Sequence, residues 1–150
     1  LTGEDIYLKE EFIKLIDAHA VDMIQPDLAS SGGILETKKI GDYAEENGVP
    51  MAMHFAGSPI CFMANIHCAA ATENFVALEH HSFDVPWWED LVTGIEKPIF
   101  NKGFVKVPDK PGLGVELNEE VVKAHLKSGE MFFAPTDDWT KIDSWDREWS

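Results

Sequence analysis

Four ionisable residues recur along this chain at intervals close to the length of one strand–loop–helix unit. The intervals are 23, 27 and 25 residues, in the order Glu4, Asp27, His54 and Glu79. The last three each close a short, mainly apolar run. Such runs are typical of buried parallel strands, and a parallel strand needs a connection of a dozen or more residues before the next one. The spacing therefore predicts βα units that bring the four side chains to the carboxyl end of one sheet, where barrels hold their functional residues.

The segments between these positions have the patterns of helices and strands. Helices are predicted at residues 8–19, 34–47 and 60–72, and strands at 20–26, 49–53 and 75–78. Residues 27–33 are predicted to be a loop of small residues, and Ser58 and Pro59 occupy the N-cap and first helical positions. These features indicate an α/β fold with a parallel sheet and right-handed crossovers.

A closed barrel explains the polar residues better than an open, doubly wound sheet does. The polar residues end successive strands, whereas an open sheet gathers them at one switch point. A complete (β/α)8 barrel needs roughly 200 residues or more, and this chain has 150. The expected fold is therefore the carboxyl-terminal part of a TIM-like (β/α) barrel, with the amino-terminal half of the same protein lying outside this sequence.

The pattern changes after about residue 84, and the chain is predicted to divide into two regions at residue 90. Residues 1–90 hold the later βα units of the barrel, and residues 91–150 form a carboxyl-terminal segment. That segment is predicted to contain a β-hairpin over 98–107, a short helix over 119–127 and a tryptophan-rich tail over 137–150. The tail has little sign of its own core, so we expect it to lie across another surface, such as a second domain or a neighbouring subunit of a homo-oligomer.

Net charge and cysteine spacing exclude several classes of protein. A formal charge of −15 argues against nucleic acid and anionic membrane surfaces as partners, because both call for clustered Lys and Arg. No apolar run reaches transmembrane length. Cys61 and Cys68 are seven residues apart in one predicted helix, roughly 10 Å along its axis and too far for a disulfide. They are interpreted as core thiols of a protein in the reducing cytoplasm.

The residue types at the strand ends are those of acid–base and metal chemistry. Asp27 and His54 on adjacent strands predict a dyad, in which the carboxylate orients the imidazole for proton transfer near neutral pH. Glu79 could bond a substrate oxygen, with an ion pair at the barrel mouth as the alternative. Glu4 provides the hard oxygen that Mg2+ prefers, although a glutamate near a chain end is also a common solvated charge. Of His80 and His81, at most one can face the same side as Glu79.

The ordered set of motifs resembles the carboxyl-terminal half of the mandelate racemase branch of the enolase superfamily. The resemblance covers nearly the whole chain, and within the branch it is greatest for acid-sugar dehydratases of the galactonate type. The segments that carry it are Thr2-Gly3-Glu4, Ile24-Gln25-Pro26-Asp27, Gly32-Gly33-Ile34, His54, Glu79 and Lys110-Pro111-Gly112-Leu113-Gly114-Val115-Glu116. One departure follows His54, where Phe55-Ala56-Gly57 replaces the loop of the galactonate enzymes.

The resemblance implies a role for each spaced residue. Glu4 would be the last of three acidic Mg2+ ligands, Asp27 and His54 the catalytic dyad, and Glu79 a bonding partner of the substrate. The implied reaction removes the proton α to a carboxylate, passes through a metal-stabilised enediolate and expels the β-hydroxyl of an acid sugar of the hexonate type. The alternatives are a racemase, epimerase or cycloisomerase on the same scaffold, and a catalytically silent barrel.

Overall fold

Four extended segments pair in parallel and in chain order in the computed structural model, which describes residues 1–132. Thr2 bridges Ile24, and Ile24 bridges Met51 at the start of strand β1 (Met51–Met53). Strand β1 then pairs with strand β2 (Phe75–Leu78). This order, with a helix between successive segments, confirms the predicted parallel sheet with crossover helices.

The segment predicted as a strand over 20–26 is shorter than expected. It pairs only through bridges at Ile24 and at Asp27, which lies opposite His54. Pro26 lies between the two bridges and has no N–H to donate, so the ladder cannot run continuously. The amide of His54 still donates to the carbonyl of Pro26, at 3.1 Å. This bond keeps Asp27 level with His54.

The helices pack against one face of these segments and form the core with it. The helices are α1 (Leu8–Asp17), α2 (Leu28–Ser31), α3 (Gly33–Glu46) and α4 (Pro59–Ala70). The fully buried side chains between helices and strands are Phe12, Ile16, Ile24, Ile40, Met51 and Met53. Helix α3 contacts both α1 and α4, as expected of helices that cover neighbouring strands. The three predicted long helices are confirmed to within a few residues.

The prediction of a loop over residues 27–33 is wrong in one respect. Leu28–Ser31 form the single helical turn α2. Asp27 caps this turn: its Oδ1 accepts from the amides of Ala29 and Ser30 at 2.8 and 3.2 Å. Gly32 ends the turn at φ 121°, a backbone conformation that favours glycine. A single turn is too short to show helical periodicity in the sequence.

Residues after 80 join Phe55 and helix α4 in a second apolar cluster and also form a small antiparallel pair. The buried members of the cluster are Phe55, Phe62, Met63, Trp88, Val92 and Ile99. Strands β3 (Val92–Thr93) and β4 (Glu116–Leu117) pair antiparallel. The hairpin predicted over 98–107 is reduced to one bridge, between Asn101 and Phe104. Its turn is of the expected type, with positive φ at both central residues, but Pro98 and Pro108 limit the pairing.

A second compact unit begins at Glu119, after a first unit that spans residues 1–118. Its helix α5 (Glu119–Ala124) is shorter than the predicted 119–127. The tryptophan-rich tail lies outside the described residues, and the predicted boundary at residue 90 stays a prediction. Within residues 1–132, no helix combines the length and the apolar character needed to cross a membrane. Cys61 and Cys68 are free thiols, as predicted.

Candidate active site

Alternation along the parallel segments decides which side chains share the face opposite the helices. Met51 and Met53 are fully buried on the helix side, so Ala52 and His54 point the other way. The register pairs Ala52 with Ala77 and Met53 with Leu78, which places Glu79 beside His54. Asp27 bridges His54 from the other side. Asp27, His54 and Glu79 therefore lie at one level on one face, at the carboxyl ends of their segments.

Asp27 and His54 are joined by a short hydrogen bond. The Nδ1 of His54 lies 2.7 Å from Oδ2 of Asp27, and the two side chains are 17% and 14% exposed. A carboxylate only accepts hydrogen bonds, so Nδ1 carries the proton and donates it. The other ring nitrogen, Nε2, faces the carboxylates of Glu4 and Glu79. Because Oδ1 of Asp27 caps helix α2, both carboxylate oxygens are held, and the orientation of the imidazole is fixed.

Glu4 contacts His54 from the first of the four segments. Its Oε2 lies 2.9 Å from Nε2 of His54, and its side chain is 55% exposed. The preceding Gly3 has φ 144°, and a Cβ there would meet the ring of Phe12 at 2.8 Å and the main chain of Gln25 at 3.0 Å. Glycine is therefore required at this close approach. The approach brings the carboxylate of Glu4 to the same face as the dyad.

Glu79 contacts three polar side chains on this face. Its Oε1 lies 2.7 Å from Nε2 of His81, and its Oε2 lies 3.6 Å from Nε2 of His54. The side-chain amide of Gln25 donates a hydrogen bond from Nε2 to Oε2 of Glu79 at 3.3 Å. These contacts hold the carboxylate toward the centre of the site while leaving it one-third exposed. It remains within reach of a bound molecule.

His80 points away from the site, as strand alternation predicts. Its ring lies 4.3 Å from that of Phe100 and 4.7 Å from that of Trp88, centroid to centroid. Neither ring nitrogen of His80 has a hydrogen-bond partner in the described part of the chain. Burial lowers the pKa of this imidazole, because the charged form is poorly solvated there. His80 therefore packs as a neutral aromatic ring, and only His81 reaches Glu79.

The structure brings all four predicted site residues together, and it adds Gln25 and His81. Gln25 lies two residues before Asp27, and His81 lies two residues after Glu79. Residues two apart on an extended segment share a face, so alternation is the signal that could have found both. The contact from Gln25 to Glu79 joins residues 54 apart in sequence. Whether the two side chains meet depends on the register of the paired segments.

The donor atoms on this face fall into two kinds. Glu4 offers carboxylate oxygens, which are the ligands that Mg2+ prefers. His54, Glu79 and His81 place one ligand atom each within 4.8 Å of one another, and this is the group among residues 1–132 whose geometry could hold a metal ion. The face can therefore bind cations and move a proton at Nε2 of His54.

Comparisons with known proteins identify relatives of this chain. Residues 1–121 match the family described as enolase C-terminal domain-like. The chain is 45% identical over 131 residues to D-xylonate dehydratase of Haloferax volcanii, covering 87% of this chain and 31% of that protein. It is 34% identical to the D-gluconate/D-galactonate dehydratase of Picrophilus torridus, covering 85% of this chain and 32% of that protein. The chain thus spans about a third of the length of the curated relatives that it matches.

A solved structure shows the same fold. The mandelate racemase/muconate lactonizing enzyme-like protein from Rubrobacter xylanophilus superposes with a TM-score of 0.84 at 39% identity. The superposition covers 89% of this chain and 34% of that one. This likeness confirms the predicted fold class, the carboxyl-terminal part of a TIM-like barrel.

Proposed function

The chain belongs to the enolase C-terminal domain-like family, and from that premise we propose that it forms the acid–base part of a Mg2+-dependent acid-sugar dehydratase. The proposed substrate is a five- or six-carbon aldonic acid, as the names of the two dehydratase relatives suggest. The proposed reaction removes the proton α to the carboxylate and releases the β-hydroxyl as water. A hydro-lyase of this kind needs a proton carrier and a way to stabilise negative charge on the substrate.

The observation that carries the proposal is the bond between Asp27 and His54. At 2.7 Å it leaves Nε2 of His54 directed at the open face, where that nitrogen can take and return a proton during turnover. The imidazolium that forms when Nε2 is protonated lies beside Asp27, Glu4 and Glu79. Carboxylates from three parallel segments thus surround this one ring. We propose that Glu79, held by Gln25, bonds a substrate oxygen on the same face.

We propose Glu4 as one ligand of Mg2+, because its carboxylate offers the hard oxygen that this ion prefers. Glu4 is the most exposed of the three acids around His54, and its position at the carboxyl end of a parallel segment is where a metal ligand would meet a substrate. Mg2+ held there would supply positive charge that stabilises a substrate carboxylate as its α-proton leaves. Mg2+ takes six oxygen ligands and usually keeps some waters. We propose that the other protein ligands come from outside this chain.

The exposed edge of the sheet supports a partner segment from a longer protein. Among the described residues, β2 pairs on one side with β1 and has no partner on its other side. Val76 of β2 is 56% exposed and lines an apolar groove of about 360 Å³. Parallel sheets almost always have both faces covered, and a closed barrel leaves no strand edge unpaired. We propose that further strands of the barrel pair here and that they carry the remaining ligands. The predicted homo-oligomer stays a prediction.

The test is to incubate the full-length protein with Mg2+ and a set of aldonic acids that includes D-xylonate, D-gluconate and D-galactonate. Formation of a 2-keto-3-deoxy acid, absent when EDTA is added, is the expected result. Exchange of the α-proton in D2O without a keto acid would instead indicate a racemase or epimerase. The absence of both reactions across the set would refute the proposed function.

A further inference from the structure

We propose that His54, Glu79 and His81 form a second metal site, selective for Zn2+ and similar transition metals, and that its occupation inhibits the acid–base chemistry proposed above. The three side chains place one ligand atom each within 4.8 Å of one another. They come from two adjacent parallel segments. The binding part of this inference stands on geometry alone, whereas the inhibitory part rests on the proposed function.

The chemistry of the donors separates this site from the proposed Mg2+ site. Two imidazole nitrogens and one carboxylate oxygen are a ligand set found in zinc enzymes, where three protein ligands leave a fourth position for water or substrate. Mg2+ prefers an octahedron of oxygens and seldom takes nitrogen ligands. Imidazole ligands favour Zn2+, Cu2+ and Ni2+ instead. The same face can therefore hold two cations of different classes, with Glu4 serving one and the two histidines the other.

The distances are close to those that a zinc ion requires. Bonds of about 2.0–2.2 Å in a tetrahedron place ligand atoms roughly 3.4 Å apart. Nε2 of His54 lies 3.6 Å from Oε2 of Glu79, and Nε2 of His81 lies 2.7 Å from Oε1 of the same carboxylate. The side chain of His81 is 56% exposed, so it can rotate to widen the shorter separation. The three ligand atoms, now within 4.8 Å of one another, would draw to about 3.4 Å apart around a bound ion.

Hydrogen bonds to neighbouring side chains already orient two of the three proposed ligands, His54 and Glu79. Nδ1 of His54 donates to Asp27, which is the carboxylate–histidine arrangement that sets the tautomer of zinc-bound histidines. Gln25 donates to Oε2 of Glu79. The ligand atom of His54 is thus Nε2, which is also the atom proposed to carry the proton in turnover. One nitrogen cannot bind Zn2+ and exchange a proton together, so occupation of this site blocks the dyad.

A binding test needs no enzymatic activity. The full-length protein, stripped of metal by EDTA and desalted, is titrated with Co2+, whose visible absorption reports coordination by nitrogen and oxygen ligands in place of Zn2+. The wild-type protein should bind one equivalent at this site, with competition by Zn2+. His81→Gln should weaken the affinity by more than about tenfold. His19→Asn is the matched control, because His19 is an exposed histidine after α1, at the opposite end of the βα units. The control should match the wild type.

The inhibition test compares each protein with its own zinc-free rate. At saturating Mg2+, added Zn2+ should lower wild-type turnover, and a chelator that binds Zn2+ but not Mg2+ should restore it. His81→Gln should need more than about ten times as much Zn2+ for half-inhibition. Equal Co2+ affinity in the wild type and in His81→Gln would overturn the site, and equal zinc sensitivity would overturn the inhibition. If the protein lacks dehydratase activity, the Co2+ titration still decides whether the site exists.

Discussion

Replacing Asp27 with Asn separates the two tasks of one side chain. In the structure Oδ1 caps helix α2 and Oδ2 accepts from Nδ1 of His54 at 2.7 Å. Asparagine has the same shape and keeps an oxygen for the cap, and it is as favourable as aspartate at this position. Its amide group, however, presents a donor to Nδ1. The imidazole must then accept at Nδ1 and carry its proton on Nε2, which removes the lone pair from the open face.

The expected loss follows from the value of acid–base catalysis. A positioned proton carrier contributes about 10²–10⁴-fold to the rate, which corresponds to about 3–5 kcal/mol of transition-state stabilisation. We expect Asp27→Asn to lower kcat by that factor in the full-length protein. We also expect the free energy of unfolding to stay within about 0.5 kcal/mol of the wild type, because the cap is retained.

Two control variants make the measurement specific. Asp27→Ala removes the cap as well as the dyad, and should cost about 1 kcal/mol in urea unfolding. Ser58→Ala removes the N-cap side chain of α4, which makes no capping hydrogen bond, and should leave stability and kcat nearly unchanged. If Asp27→Asn retains kcat within tenfold of the wild type, the reasoning about the tautomer is refuted. If Asp27→Ala is as stable as Asp27→Asn, the capping role is refuted.

Three further predictions concern the supports of the site. Gly3→Ala should destabilise the protein by about 2 kcal/mol, because its Cβ would meet neighbouring atoms at 2.8 and 3.0 Å. Gly48→Ala, whose Cβ meets open space, should cost only about 1 kcal/mol for its positive φ, and equal costs in urea unfolding would contradict this. A main-chain N–H of α1 donates to Glu36 and lowers its pKa. The unfolded chain therefore binds more protons at the Glu36 carboxyl group than the folded chain does. The hydrogen bond to the ionised carboxylate stabilises the fold above about pH 4.5, and this stabilisation is lost as the pH falls. Glu36→Gln should flatten the acid side of the stability profile, and an unchanged profile would count against the bond. Burial raises the pKa of the Cys61 and Cys68 thiols, so peptide mapping after alkylation should find the buried Cys68 modified only on unfolding. Rapid native modification would disagree with its position in the core.

The sequence predicted the parts of the fold that depend on periodicity. Helices α1, α3 and α4 have many apolar residues at helical spacing, and His54 and Glu79 end apolar runs of strand length. The carboxyl ends of parallel strands meet at one edge, so the residues that end those runs could be placed together before any contact was known.

Features that depend on a single bond or on register were not predictable in this way. Helix α2 exists because one carboxylate caps it, and a four-residue helix has no period to detect. The contact from Gln25 to Glu79 requires the register of three segments at once. Alternation places His81, and not His80, on the same face as Glu79. That prediction requires an extended backbone beyond Glu79, which the sequence pattern does not reveal. The predicted hairpin over residues 98–107 was too long. Its turn has a clear sequence signal, whereas the flanking segments pair only between Asn101 and Phe104.

The most direct test of the central claim is the turnover of His54→Asn in the full-length protein with Mg2+ and its best aldonic acid. The account predicts that formation of the keto acid falls by at least about 10²-fold, while the Mg2+ affinity and the unfolding midpoint remain those of the wild type. Turnover within tenfold of the wild type would contradict the assignment of His54 as the proton carrier. A full loss of activity together with unfolding at the wild-type's working temperature would show that His54 serves the fold and not the reaction.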